Sequence, residues 1–233
     1  MKKNLYLKKD KVYLINKINN KEYFKIIINY LNRYKNNFSL LDVGCASGDF
    51  LSLLSKKKKF DLTGIDFSKS LLDIAKKKVP NAKFEIQDLK KKINLKKKFN
   101  ICTCLGTLSI FDEKFKIINK LVNLVEKNGE LIFFDPINDH DVNVIIRYQN
   151  NFEKKKEWLT GFNTYSKKYW EEKLKSNSKI KSFTFEKFNI QKKIKKNKKN
   201  PMRAWTFPLK KYNQITVGTG QLLNFYIVKI KLK

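Results

Sequence analysis

With 233 residues, 42% of them hydrophobic, and an odd count of 3 cysteines, the chain is long enough for one well-buried core, and the cysteines argue against a disulfide framework. Its longest apolar runs, such as Ile26 to Ile28 and Leu131 to Phe134, fall far short of the roughly 20 residues that cross a bilayer. The formal net charge of +31 is almost all lysine spread over most segments, with Arg33, Arg147 and Arg203 the only arginines, which argues against a dedicated phosphate-reading surface.

Residues 1 to 20 carry no clear period and lack the apolar stretch and cleavage site of a secretory signal, so a cytoplasmic protein is expected. Glu22 to Tyr34 then places apolar residues at helical spacing and predicts an amphipathic leading helix. Strands are expected at Ser39 to Val43, Phe60 to Ile65, Lys83 to Ile86, Asn100 to Leu105 and Glu130 to Phe134. Helices are expected at Phe50 to Lys56, Lys69 to Lys78 and Lys114 to Lys127, the last stopped by the pair Asn128-Gly129. This alternation predicts an α/β fold, a doubly wound and mainly parallel sheet with helices on both faces.

Beyond Asp135 the pattern loosens. Pro136 to Thr164 holds polar turns, a short helical stretch around Val142 to Tyr148, and aromatics without a period. Ser166 to Lys175 reads as a helix capped by Ser166, with Glu171 and Lys175 four apart. Phe183 to Ile190 and Leu222 to Ile230 read as a terminal antiparallel hairpin. Between them lies a basic excursion, Gln191 to Gly220, holding Pro201, Trp205, Pro208, Gly218 and Gly220. We expect one domain: a leading segment 1–38, a core 39–135, a lid 136–180, and the hairpin with its excursion 181–233.

The chemistry is concentrated in LLDVGCASGDF, Leu40 to Phe50, where a strand carrying an acid runs into two glycines before a helix. Gly44 and Gly48 remove side chains where the backbone would meet a ligand, although a tight strand-to-helix turn alone would look the same. Asp66 closes the next strand near the spacing expected for a ribose-binding acid, and a helix cap is its competing reading. Gln87-Asp88-Leu89 follow the third strand, where an acid can accept from an adenine amino group and Leu89 can cover the ring. The joint placement of these pieces favours a ligand in one crevice at the strand ends.

The stretch from Leu40 to Pro136 resembles class I methyltransferases that use S-adenosylmethionine. The resemblance implies a Rossmann-like, seven-stranded sheet and assigns cofactor contacts to Asp42, Gly44, Gly48, Asp66 and Asp88. Cys45, Ala46, Phe67, Gln87, Leu89 and Leu105 are counted with them as neighbouring cofactor positions. Ala46 departs from the pattern, because many members have a third glycine there. A nicotinamide enzyme is disfavoured, since its Gly-x-Gly-x-x-Gly would need glycines where Ala46 and Asp49 stand.

Methyl transfer from a sulfonium is an in-line displacement that alignment alone can promote, so no catalytic residue is obligatory. If the acceptor is a hydroxyl, His140 is the first candidate base and Asp135 the second. Arg147, Tyr165 and Trp205 are candidate substrate-binding residues, among aromatics that include Tyr148, Phe152, Trp158 and Phe162. No metal site is expected. Placement of these residues after the fifth strand resembles small-molecule and sugar methyltransferases and favours a small-molecule or glycan hydroxyl. An RNA methyltransferase using Lys192 to Lys199 with Trp205, and a non-catalytic scaffold, are the alternatives.

Overall fold

The computed structural model describes residues 21–35, 37–151, 156–198, 200 and 202–233. Residues 1–20, Phe152, Lys199 and Pro201 therefore lie outside the described residues. The chain forms two compact units, one running to Leu105 and including Asn123–Glu130, the other comprising Gly106–Val122 and Leu131–Lys233.

In the first unit, α1 (Glu22–Leu31) buries Phe24, Ile27, Ile28 and Leu31, the i, i+3, i+4, i+7 stripe of an amphipathic helix. Strand β1 (Ser39–Val43) pairs in parallel with β2 (Asp61–Asp66) on one side and β4 (Phe99–Leu105) on the other, and β3 (Lys83–Ile86) pairs in parallel with β2. Both central strands are buried along nearly their whole length, which is why they read as continuous apolar runs rather than alternating ones. Helix α2 (Asp49–Ser55) follows β1, and α3 (Lys69–Lys78) follows β2. A buried ion pair joins them: Lys78 Nζ, in the last turn of α3, lies 2.6 Å from Asp49 Oδ1 in the first turn of α2.

The next helix and strand depart from expectation. Helix α4 (Lys114–Val122) stops well short of Asn128, and β5 runs from Val125 to Asn138. Asn128 takes φ 59° inside that strand, and a Cβ on Gly129 would come 2.7 Å from the Asn100 carbonyl oxygen. The pair therefore serves a bend against a neighbouring backbone, not a helix stop. Close by in the first unit, buried Glu130 accepts from Tyr30, Tyr34 and Arg33, which fastens α1 to the chain where β5 leaves its bend.

Strand β5 continues into the second unit, where the order runs β5-β13-β9. β9 (Ile180–Phe188) and β13 (Phe225–Leu232) are antiparallel, and β8 (Tyr165–Ser166) pairs in parallel with the end of β5. The seven main strands, mostly parallel with a terminal antiparallel pair, are the expected α/β arrangement. Helix α5 (Lys167–Lys175) begins where Ser166 Oγ accepts from the Tyr169 amide at 3.1 Å, the cap read from the sequence.

Two corrections fall here. Val142 to Tyr148 is not helical: Val144 bridges Thr164, and β6 (Arg147–Tyr148) pairs antiparallel with β7 (Leu159–Thr160). Val142, Val144, Ile145 and Ile146 are β-branched and suit a ribbon better than a helix, and Asn163 Oδ1 fixes the Ile146 amide at 2.9 Å. Leu222 and Leu223 do not begin the last strand but form β12 of a separate three-stranded sheet, with β10 (Trp205–Pro208) and β11 (Asn213–Thr216). Among the described residues, no helix is long and apolar enough to cross a membrane.

Candidate functional site

The turn after β1 is built from positive backbone angles: Gly44 at φ 70°, Ala46 at 47° and Gly48 at 73°. The amides of Gly44 and Cys45 both donate to the Ile65 carbonyl, at 2.8 and 3.1 Å, and so tie the end of β1 to the end of β2. Gly48 is constrained twice, by its left-handed backbone and by Ala75, whose Cβ would lie 3.0 Å from a Cβ placed on it. We expect Gly48→Ala to cost about 2 kcal/mol, from left-handed strain together with this contact, read as a lower urea midpoint. An unchanged midpoint would mean that the turn relaxes freely. Ala46 bears the same kind of backbone strain without being glycine, and its amide has a specific task.

That task is to hold Asp66. The Ala46 amide donates to Asp66 Oδ2 at 3.0 Å and the Ser68 amide to Oδ1 at 2.9 Å, so the carboxylate is fixed at the lip of the turn with acceptor capacity left over. Ser68 itself makes no side-chain cap on α3, so Asp66 organises the turn before that helix. Burial raises the Asp66 pKa, and the amides of Ser68, Ala46 and Phe67 oppose the rise. Asp42, buried deeper, accepts from Thr103 Oγ1 at 2.7 Å. Burial pushes its pKa up to about 7; the Thr103 bond opposes this, the Asp66 charge adds to it, and Lys21 opposes it.

Of the other residues assigned to the cofactor, Leu89 is buried, Leu105 and Asp88 are half-buried, and Phe67 is exposed. Asp88 Oδ1 accepts from the Lys90 amide at 2.9 Å, and Gln87 bonds both the amide and carbonyl of Asn94, each at 3.2 Å. Gln87 thus holds its own loop, a structural use of a side chain that the sequence placed with the cofactor. Cys45 is buried, and burial raises its thiol pKa, which keeps it from being a reactive thiolate. Among the described residues no group of three or more His, Cys, Asp or Glu side chains is arranged to hold a metal.

In the second unit, Asp135 is fully buried and ion-paired through Oδ2 with an equally buried Lys114, whose Nζ also donates to the Asn163 carbonyl at 3.1 Å. The Ser109 backbone amide is the other group that favours the charged Asp135 carboxylate. His140 is exposed in the loop beyond β5. Arg147 and Tyr165 meet at Asp112: Arg147 grips its carboxylate at 3.1 and 2.5 Å, Asn163 Nδ2 adds a bond at 3.0 Å, and the Tyr165 hydroxyl donates to its carbonyl. Trp205 is not with them but lies on β10. Sequence reasoning missed Asp112 and Lys114. For Lys114 there was a signal, because it shares a helical stripe with Ile117, Ile118 and Leu121.

A parallel sheet whose central strand ends in a strained, glycine-bearing turn beside an oriented acid is the arrangement of a doubly wound α/β fold, whose crevice lies at the carboxyl ends of the strands. Residues 34–178 match the family model described as Methyltransferase domain, more than half of the chain, and the chain belongs to this family of S-adenosylmethionine-dependent methyltransferases. It is 32% identical over 103 residues to the Ubiquinone biosynthesis O-methyltransferase of Coxiella burnetii, covering 42% of this chain and 43% of the relative. It is 27% identical to the Malonyl-[acyl-carrier protein] O-methyltransferase of Priestia megaterium over 112 residues, 46% of this chain and 40% of that one. The chain spans about half the length of the curated relatives it matches or less. Among solved structures, YcgJ of Bacillus subtilis superposes with a TM-score of 0.60 at 11% identity, over 90% of this chain and 97% of that one. A methyltransferase of Clostridium acetobutylicum does so with a TM-score of 0.58 at 17% identity, over 98% and 99%.

Proposed function

We propose that the chain binds S-adenosylmethionine at the Gly44–Gly48 turn and transfers its methyl group to a hydroxyl of a small molecule or glycan. The observation that carries the cofactor half is the Asp66 carboxylate, held by the Ala46 and Ser68 amides with acceptor capacity to spare. A pair of ribose hydroxyls is the donor set it suits, and the half-buried Asp88, with Leu89 and Phe67, suits an adenine ring and its amino group. When bound, the cofactor supplies an electrophilic methyl on a sulfonium. An oxygen acceptor is supported by the names of the Coxiella and Priestia relatives, which are O-methyltransferases.

On this reading the protein's contribution is chiefly alignment. Asp135 is engaged by Lys114 and buried, so its role is to hold the fold. His140 is the one candidate base with an exposed ring, and methyl transfer that survives His140→Ala with an unchanged pH profile would leave alignment alone.

The test is calorimetric titration with S-adenosylhomocysteine, with NAD as control, followed by methyl-transfer assays on hydroxyl metabolites, glycans and RNA. Asp66→Ala is expected to weaken S-adenosylhomocysteine binding by roughly 1–3 kcal/mol, the scale of leaving ribose donors unmatched. Unchanged affinity in the folded variant would remove the ribose assignment, and binding of NAD alone would overturn the whole reading.

A further inference from the structure

The three-stranded sheet built from the basic excursion carries exposed apolar side chains on its two outer strands. Its register places Trp205, Thr216 and Leu222 in one row across the strands, with Phe207 opposite Gln214 two residues along and on the same side. The other side carries Ile215 and Leu223, both buried. On the outward side Phe207 is 38% and Leu222 63% exposed, and Leu209, at the tip of the β10–β11 hairpin, is 45% exposed. The central-strand residues of that side, Gln214 and Thr216, are buried, so the exposed apolar tips stand on the outer strands and at the hairpin tip, three on one small sheet where isolated ones are ordinary.

Lysines surround it. The segment leading into β10 runs beside that strand, tied by the Ile194 amide to Thr206 Oγ1 at 2.9 Å and by the Thr206 amide to the Ile194 carbonyl at 3.0 Å. It brings exposed Lys193, Lys195, Lys196 and Lys198 to the sheet edge, while Lys210 and Lys211 sit on the hairpin tip. From Lys187 to Lys233 the sequence contains no Asp or Glu. A partner for this surface must be anionic and must also accept aliphatic and aromatic tips.

We propose that this face docks on an anionic lipid bilayer, with Phe207, Leu209 and Leu222 entering the headgroup region and the lysines holding lipid phosphates. Two observations favour a bilayer over a nucleic-acid strand. Lys196 Nζ stands 4.8 Å from the centre of the Trp205 ring, over the π-face that a base would need. The exposed tips include two leucines, which do not stack on bases but do partition into an interface. Lysine point charges, moreover, suit a fluid anionic surface, where no bidentate geometry is required. The proposal is independent of which acceptor the methyl-transfer site takes.

The experiment is co-sedimentation of the full chain with phosphatidylcholine vesicles, with and without phosphatidylglycerol, alongside retention on a single-stranded RNA oligomer. Binding to the phosphatidylglycerol vesicles alone is expected. Phe207→Ser with Leu222→Ser should weaken it by on the order of tenfold or more, and Lys195→Gln, Lys196→Gln and Lys198→Gln together by at least as much. Lys76→Gln, Lys77→Gln and Lys96→Gln, an equal loss of charge in the other unit, should have a far smaller effect. Absence of vesicle binding overturns the proposal. So does vesicle binding that ignores the apolar substitutions or falls equally with either lysine set, because it would then be diffuse charge attraction. RNA retention that is lost with the Lys195 set while vesicle binding is unaffected would assign the face to nucleic acid instead.

Discussion

Lys114→Met is expected to destabilise the protein by about 3–5 kcal/mol at neutral pH, the range for removing one partner of a buried ion pair. Lys114 and Asp135 are both fully buried, and Lys114 Nζ also lies 5.3 Å from the Tyr165 ring centre and 5.7 Å from that of Trp170. The ammonium therefore joins α4, the end of β5, the Asn163 loop and α5 through a single group. Methionine keeps the length and apolar stem but leaves a carboxylate in a pocket without a compensating charge. In thermal denaturation the loss should appear as a fall of roughly 10 °C in Tm, for a chain of this size.

The same argument predicts rescue. Asp135 has its pKa pushed up to about 6, by burial first, with the Lys114 charge, its hydrogen bond and the Ser109 backbone amide opposing. Removing the opposing lysine raises it further, so the Lys114→Met variant should recover much of its deficit when the carboxyl is protonated in mildly acidic buffer. A second variant that also carries Asp135→Leu should be markedly more stable than the single one at neutral pH, because an apolar pair of similar volume avoids the stranded charge. A Lys114→Met protein within about 1 kcal/mol of the parent, at the low end of ordinary substitutions, would show that the pair is reached by water and holds little together.

Which parts of this architecture were legible in the sequence follows from how local their causes are. Ser39–Val43, Lys69–Lys78 and Lys83–Ile86 have the bounds their own periodicity predicts, and the Ser166 cap depends on one hydroxyl and an amide three residues on. Asp66 was legible as an acid at a strand end. That it is oriented by the amide of a left-handed Ala46 was not, since this depends on the meeting of two strand ends. The Asn128-Gly129 pair was read correctly as a break in regular backbone but assigned to the wrong element. Its use depends on the Asn100 carbonyl, distant in sequence. Likewise Gln87 was read as a cofactor position from its place after the third strand, and only the folded loop shows its amide turned to Asn94. Arg147 and Tyr165 were singled out as substrate contacts, and the partner that gathers them, Asp112, carries no motif.

Asp42 gives the second large effect, and its sign is opposite to that of an ordinary stabilising carboxylate. It is buried at the end of β1 beside Asp66, with the Thr103 hydroxyl donating to it, and its pKa stands near 7 against 3.8 for an unburied group. Between those two values the folded chain holds a proton that the unfolded chain has released. Stability therefore falls as pH rises from about 4 to about 7 and levels off above. A shift of this size corresponds to about 4 kcal/mol in total. Asp135 adds a smaller slope of the same sign over its own interval, up to about 6. Asp42→Asn imitates the protonated side chain, keeps an oxygen for Thr103 and removes the larger slope. In urea denaturation across this range, the parent should weaken steadily as pH rises. The variant should match it within about 1 kcal/mol at the acid end, the net worth of one hydrogen bond, and exceed it by several at the alkaline end. If parent and variant trace parallel curves, Asp42 is ionised in the folded protein throughout, and the two acids at the turn share the site as a pair of charges instead of a proton.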